Sequence, residues 1–264
     1  MIQARPNQNS EISIRDPEVS IIIPTYNEEE NIGKVLQEIE QVRLFLPLTE
    51  LIVVDDGSVD KTVDKVRRFP SVKYVRHEKN RGKGAALRAG VKIATGNIFV
   101  IQDADLEYPP SNIPKLLEPI LNNRADVVYG SRFKGRHDGM SFLHFVGNKI
   151  LSLTARLLYR APITDVMTGH KCFRKEVIES IDLTEGGFSI EVEITTKILK
   201  SGWRFVEVPI TYSRRVCGLA KIRYRDGLSS MLKLLQELMP ISRQNGLNQA
   251  KEVYEVRSNT RRSK

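Results

Sequence analysis

From Val19 onward the apolar residues form short runs, separated by stretches in which they recur every three or four positions. The runs VSIII (19–23), ELIVVDD (50–56), VKYVRH (72–77), NIFVIQD (97–103) and DVVYGS (126–131) are short and nearly uninterrupted, and they predict buried strands. Between them, residues 28–42 place Ile32, Val35, Leu36 and Ile39 on one helical face, and 60–68 and 83–94 behave alike. Strand and helix thus alternate about five times, which predicts an α/β fold with a mainly parallel sheet covered by helices. In such sheets ligands collect at the carboxyl ends of the strands. Here those ends read Pro24-Thr25-Tyr26, Asp55-Asp56-Gly57-Ser58 and Asp103-Ala104-Asp105.

The second half is less regular. Residues 142–159 (FLHFVGNKILSLTARLLY) predict a helix apolar over much of its surface, with Lys149 and Arg156 among the apolar positions. A loop at 163–174 (ITDVMTGHKCFR), a helix near 189–200, a strand around 203–212, a basic loop and an amphipathic helix near 226–239 complete the pattern. No repeat or long linker marks a second domain. The expected organisation is an extension at 1–18, one domain at 19–240 and a basic, disordered tail at 241–264.

The net charge of +9 suits anionic partners: nucleotides, phosphorylated lipids, acidic membrane surfaces or nucleic acid. No apolar run approaches the ~18 to 20 residues of a membrane-spanning helix, and the polar start lacks the apolar core of a signal peptide. A cytoplasmic protein is therefore expected. Two cysteines, Cys172 and Cys217, argue against a disulfide framework or a cysteine-based zinc site.

Asp55 and Asp56 end an apolar strand, where a carboxylate can accept hydrogen bonds from a base edge or ribose hydroxyls, or else belong to a turn and helix cap. In NRGKGAALRAG (80–90), Gly82, Lys83 and Gly84 precede a helix start. Backbone amides and an ammonium group there can meet phosphate, although Gly-Lys-Gly also serves as a plain turn. In VIQDADLEYPP (100–110), Asp103, Asp105 and Glu107 occupy alternate positions, which point the same way in an extended chain, so the three can converge if the strand runs out into a loop. Either the strand end is solvated, or the acids share a cation; oxygen ligands suit Mg²⁺ or Mn²⁺. Basic residues gather at Arg132, at Lys171 and Arg174, and in SRRVCGLAKIRYR (213–225), which includes Arg214, Arg215 and Lys221. These are phosphate-binding forks and point charges, or a solubilising surface. His77, His137, His144 and His170 show no metal spacing and read as structural.

Together, VSIIIPTYNEEENI, LIVVDDGSVDKT, NRGKGAALRAG, DAD, VVYGSRF and DVMTGHKCFR resemble the family 2 glycosyltransferases with a GT-A fold, among them the polyprenyl-phosphate sugar synthases related to dolichyl-phosphate mannose synthase. The resemblance covers about residues 19–235. It implies that Pro24, Tyr26, Glu28 and Asp55 hold base and ribose, and that Asp56 and Lys83 lie along the nucleotide sugar. It also implies metal ligation by Asp103 and Asp105, with Glu107 as a further ligand where relatives carry Gln. Arg132 would lie near phosphate or sugar, and Arg215 with Lys221 would bind the acceptor phosphate. Ala220 and His170 depart from the family pattern.

The implied reaction is metal-dependent, inverting transfer of mannose from GDP-mannose, or of glucose from UDP-glucose, to dolichyl or polyprenyl phosphate. The implied enzyme is peripheral, docked on the cytoplasmic face of an anionic membrane through the helices at 142–159 and 226–239. The alternatives are a soluble sugar or phosphorylated acceptor and, from another class, a nucleotide-binding or nucleic-acid-binding module. The acidic pairs disfavour nucleic acid, because they would repel it from the crevice.

Overall fold

The computed structural model describes residues 19–46, 48–215, 217 and 224–237. The expected extension and tail, and Lys221 with them, lie outside the described residues.

Seven strands form one sheet in the order β3-β2-β1-β4-β6-β5-β7. β1 (Val19–Thr25), β2 (Thr49–Asp55), β3 (Val72–Arg76) and β4 (Ile98–Ile101) are mutually parallel. β5 (Val127–Asp138) and β7 (Phe205–Ser213) pair parallel to each other, and between β4 and β5 runs β6 (Lys171–Arg174), antiparallel to both. Side chains alternate across the sheet, so Ile21 and Ile23 enter one core while Ile22 enters the other. The first core is closed by α1 (Ile32–Arg43) and α4 (Ile113–Leu121), the second by α3 (Lys83–Ile93), α5 (Phe142–Tyr159) and α7 (Ile190–Ser201). Two-sided burial explains why the strands read as apolar runs rather than alternating ones. In α1 the buried residues are Ile32, Val35, Leu36 and Ile39, the face expected from spacing. Each contributes roughly 1.5 to 3 kcal/mol by leaving water.

Three elements differ from the sequence reading. β6 falls inside the expected loop at 163–174; it has four residues, and Lys171 at its head is fully buried. α4 escaped notice because Pro114 and Pro119 interrupt its pattern. β5 continues beyond Ser131 through polar residues, with a register shift against β7 between Ser131 and Arg136. Two short helices, α2 (Thr62–Val66) and α6 (Lys175–Glu179), and the last helix, α8 (Tyr224–Gln236), complete the fold.

Candidate active site

The mouths of β1 and β2 are zipped together by side chains. Asn27, at φ 47°, donates its amide to Ser58 Oγ at 2.9 Å and accepts from the Val59 amide at 2.9 Å. The Glu28 amide donates to Thr62 Oγ1 at 2.8 Å, and the Glu29 amide to Asp60 at 3.1 Å. Gly57 has φ 78°, and a Cβ there would stand 2.7 Å from the Lys79 backbone, so only glycine fits the turn. Pro24 and Tyr26 remain half-buried beside this crevice.

The two aspartates expected beside the nucleotide also bind the loops around them. Asp55 is fully buried, accepting from the Ser58 amide at 2.8 Å and from the Tyr74 hydroxyl at 2.6 Å. Asp56 accepts from the amides of Arg81 and Gly82 and sits 2.6 Å from His77 Nδ1. Both carboxylates organise the loops; the Ser58 contact is the local turn, whereas Tyr74, His77, Arg81 and Gly82 lie 19 to 26 positions on.

The glycines of NRGKG serve close packing. Gly82 is at φ 91°, and Cβ atoms at Gly82 and Gly84 would collide with the backbone of Gly186 and Glu185. The Gly84 and Ala85 amides already donate to the Gly186 carbonyl, so the amides expected to face phosphate are engaged at this helix start. Lys83 is no solvated turn lysine. Its ammonium lies 2.6 Å from Asp103 Oδ1 and 2.8 Å from Glu191 Oε1.

β4 ends at Ile101 and the chain turns at once, with Leu106 at φ 62°, so the three acids lie on the loop into which the strand runs out. Asp103 turns to Lys83, and Glu107 accepts from the Tyr212 hydroxyl at 3.1 Å. Asp105 accepts from the Glu107 amide at 3.1 Å and lies 3.4 Å from Arg215. Among the described residues no group of three or more such ligands is gathered into a ready metal cage. The site is nonetheless short of positive charge: burial, then the Asp103 and Glu107 carboxylates, push the Asp105 carboxyl up to about 7. Two acids under mutual repulsion at an open strand mouth fit Mg²⁺ or Mn²⁺, which complete their shells with water and phosphate oxygens.

Arg215 crosses to the mouth of β1, 2.6 Å from Glu28, which also accepts from Asn31 at 2.8 Å. Arg132 is 6% exposed and forked onto Asp165, with Nε–Oδ2 2.7 Å and Nη2–Oδ1 2.6 Å, beneath the rings of Tyr108 and Tyr212. The guanidinium charge expected near phosphate or sugar is thus matched by Asp165 within the fold. Sequence reasoning missed Asp165, Glu191 and Tyr212. The only local signal was an acid standing among apolar neighbours in ITDVM and FSIEVE.

His170 is fully buried with both ring nitrogens lacking a hydrogen-bond partner, its ring 5.8 Å from that of Tyr108. Burial pulls its pKa from 6.5 down to about 3. The unfolded chain therefore takes up a proton below about 6.5 that the folded protein refuses, and stability falls as the pH drops from there toward 3. His170→Phe is expected to flatten this acid limb, read as melting temperature between pH 7 and pH 4.

The sequence profile of "Glycosyl transferase family 2" matches residues 20–182, from β1 through β6 and its following helix. The chain belongs to glycosyl transferase family 2. This transferase is 38% identical over 212 residues to the dolichol-phosphate mannosyltransferase of Pyrococcus furiosus, an alignment covering 78% of this chain and 59% of that protein. The chain thus spans less than two thirds of that relative's length. It is 31% identical to the polyprenol monophosphomannose synthase of Mycolicibacterium smegmatis over 82% of this chain and 85% of the other.

In three dimensions the transferase resembles glucosyl-3-phosphoglycerate synthase from Mycobacterium tuberculosis, with TM-score 0.67, 22% identity, and coverage of 84% and 79% of the two chains. That synthase was crystallised with Mn²⁺, UDP-glucose and phosphoglyceric acid. Mannosyl-3-phosphoglycerate synthase from Rubrobacter xylanophilus gives TM-score 0.66 at 20% identity, covering 87% and 75%. At these identities the likeness shows the fold, the mainly parallel GT-A sheet flanked by helices.

Proposed function

We propose that this transferase moves a hexose, mannose before glucose, from a nucleoside diphosphate sugar to the phosphate of a polyprenyl or dolichyl phosphate, with inversion at the anomeric carbon. The observation that carries the reading is the charge pattern at the mouth of β4, where Asp103 and Asp105 stand between the cations of Lys83 and Arg215. Pro24, Tyr26 and Glu28 border the place for base and ribose, and Asp55 and Asp56 hold its walls. Asp103 and Asp105, with Glu107 beside them, would hold Mg²⁺ or Mn²⁺, which supplies Lewis-acid neutralisation of the leaving diphosphate. Lys83 adds a fixed positive charge for the same group. A phosphate monoester is largely ionised at neutral pH, its second pKa being about 6, so its oxygen attacks the anomeric carbon as the diphosphate oxygen leaves, without a strong base. Arg215, and Lys221 six positions on in the sequence, are the cations proposed for the acceptor phosphate.

The names of the two polyprenyl-phosphate relatives favour a lipid acceptor, and so does the surface. On α5, Phe142, Leu143, Ile150, Leu153 and Leu157 are exposed, and Leu228, Leu232 and Leu235 are exposed on α8, which packs beside it. No described helix is long and apolar enough to cross a membrane. An apolar face fringed by Lys149 and Arg156 suits docking on an anionic bilayer at its cytoplasmic face. The test is acceptor choice. Transfer is expected with polyprenyl phosphate in anionic vesicles and not with water-soluble phosphorylated acceptors in detergent-free buffer; the reverse result would replace the lipid with a soluble acceptor.

A further inference from the structure

Lys83 sits in a chain of four buried or half-buried charges that alternate in sign. Its ammonium bridges Asp103 and Glu191, and the second oxygen of Glu191 takes the ammonium of Lys171. Lys171 also donates to the carbonyls of Val166 and Thr168 and lies 4.7 Å from the centre of the Tyr129 ring. Glu191 is 2% exposed in the first turn of α7, between Ile190 and Val192, both at 0%.

Stability alone gives no reason for this arrangement, since a buried ion pair replaced by apolar residues of similar volume is often neutral or stabilising. The two lysines play unequal parts. Lys171 is tied to carbonyls of the 163–170 loop and fixes Glu191 from behind, whereas Lys83 faces the crevice and shares itself between Glu191 and a proposed metal ligand. A cation that claims Asp103 takes away one of the two carboxylates holding Lys83. Glu191 is the other, and it cannot follow because Lys171 holds it.

We propose that Glu191 is the positioning residue for Lys83, anchored by Lys171, and that it keeps the Lys83 ammonium at the mouth of β4 where the donor diphosphate binds. This rests on reading the crevice as a nucleotide-sugar site. The probe is calorimetric binding of GDP and of UDP to the full chain, in EDTA and again with Mn²⁺, which requires no turnover. Glu191→Gln is expected to weaken binding of the preferred nucleotide about tenfold, and to weaken it no further in a Lys83→Met background, the non-additivity of residues acting through one another. Should Glu191→Gln fold poorly because Lys171 loses its counter-charge, Glu191→Gln/Lys171→Met removes the pair together and is expected to show the same tenfold loss. Wild-type affinity in that double variant, or full additivity of Glu191→Gln with Lys83→Met, would overturn the inference alone. A wild-type protein that binds neither nucleotide under either condition would overturn the donor-site reading and the inference with it.

Discussion

Asp105→Asn is expected to cost at least about 10³-fold in transfer while making the metal-free protein more stable above neutral pH. The loss follows from charge: Lewis-acid stabilisation of a leaving diphosphate is worth several kcal/mol, and each 1.4 kcal/mol or so is tenfold in rate. The gain follows from linkage. Burial, together with the Asp103 and Glu107 carboxylates, raises the Asp105 carboxyl from 3.8 to about 7 in the folded protein. The folded state then keeps a proton that the unfolded chain releases, so stability is full below about 4, falls as the pH rises toward 7 and stays lower above it. Asparagine removes that penalty, by no more than about 4 kcal/mol and by less where water reaches the carboxylate. Melting in EDTA at pH 4 and pH 8 checks the sign: the variant should gain at pH 8 and gain little at pH 4.

Arg132→Ala is expected to act first on folding. The guanidinium is buried against Asp165, and the Asp165 carboxylate has 0% exposure. Removing one member of such a pair strands the other charge, typically at a cost of about 3 to 5 kcal/mol. It also leaves the Tyr108 and Tyr212 rings without the guanidinium that lies against them. A drop of about 10 °C in melting temperature follows for a domain of this size. Arg132→Met/Asp165→Leu should recover most of it, because no charge is left unpaired. A well-folded Arg132→Ala protein with a selective defect in acceptor use would instead support the place near phosphate or sugar expected from sequence.

These contrasts show which parts of the molecule could be read from the chain. The two-sided strands and the buried face of α1 were legible because they depend on local spacing, and all four residues predicted for that face are buried. β6 was not, because Lys171 can be buried only once Glu191, twenty positions on, supplies its counter-charge. In the site, motif order placed Lys83, Asp103 and Asp105 at neighbouring strand mouths, and the fold brings them together with Arg215 and Glu28. The same motifs could not show that Asp55 is occupied by Tyr74, Asp56 by the Arg81 and Gly82 amides, and Arg132 by Asp165. Each of those partners is distant in sequence, so local spacing carries no sign of the pairing.

If the acids at the mouth of β4 support hexose transfer to a lipid phosphate, sugar label must reach the lipid only when they are intact. The most direct measurement supplies radiolabelled GDP-mannose or UDP-glucose, Mn²⁺ and polyprenyl phosphate to the wild-type protein and to Asp103→Asn/Asp105→Asn, and then extracts with organic solvent. Label is predicted in the lipid phase with the wild type, more from GDP-mannose than from UDP-glucose, and at background with the double variant. Label that never enters the lipid phase, or that enters it equally with the double variant, would contradict the account.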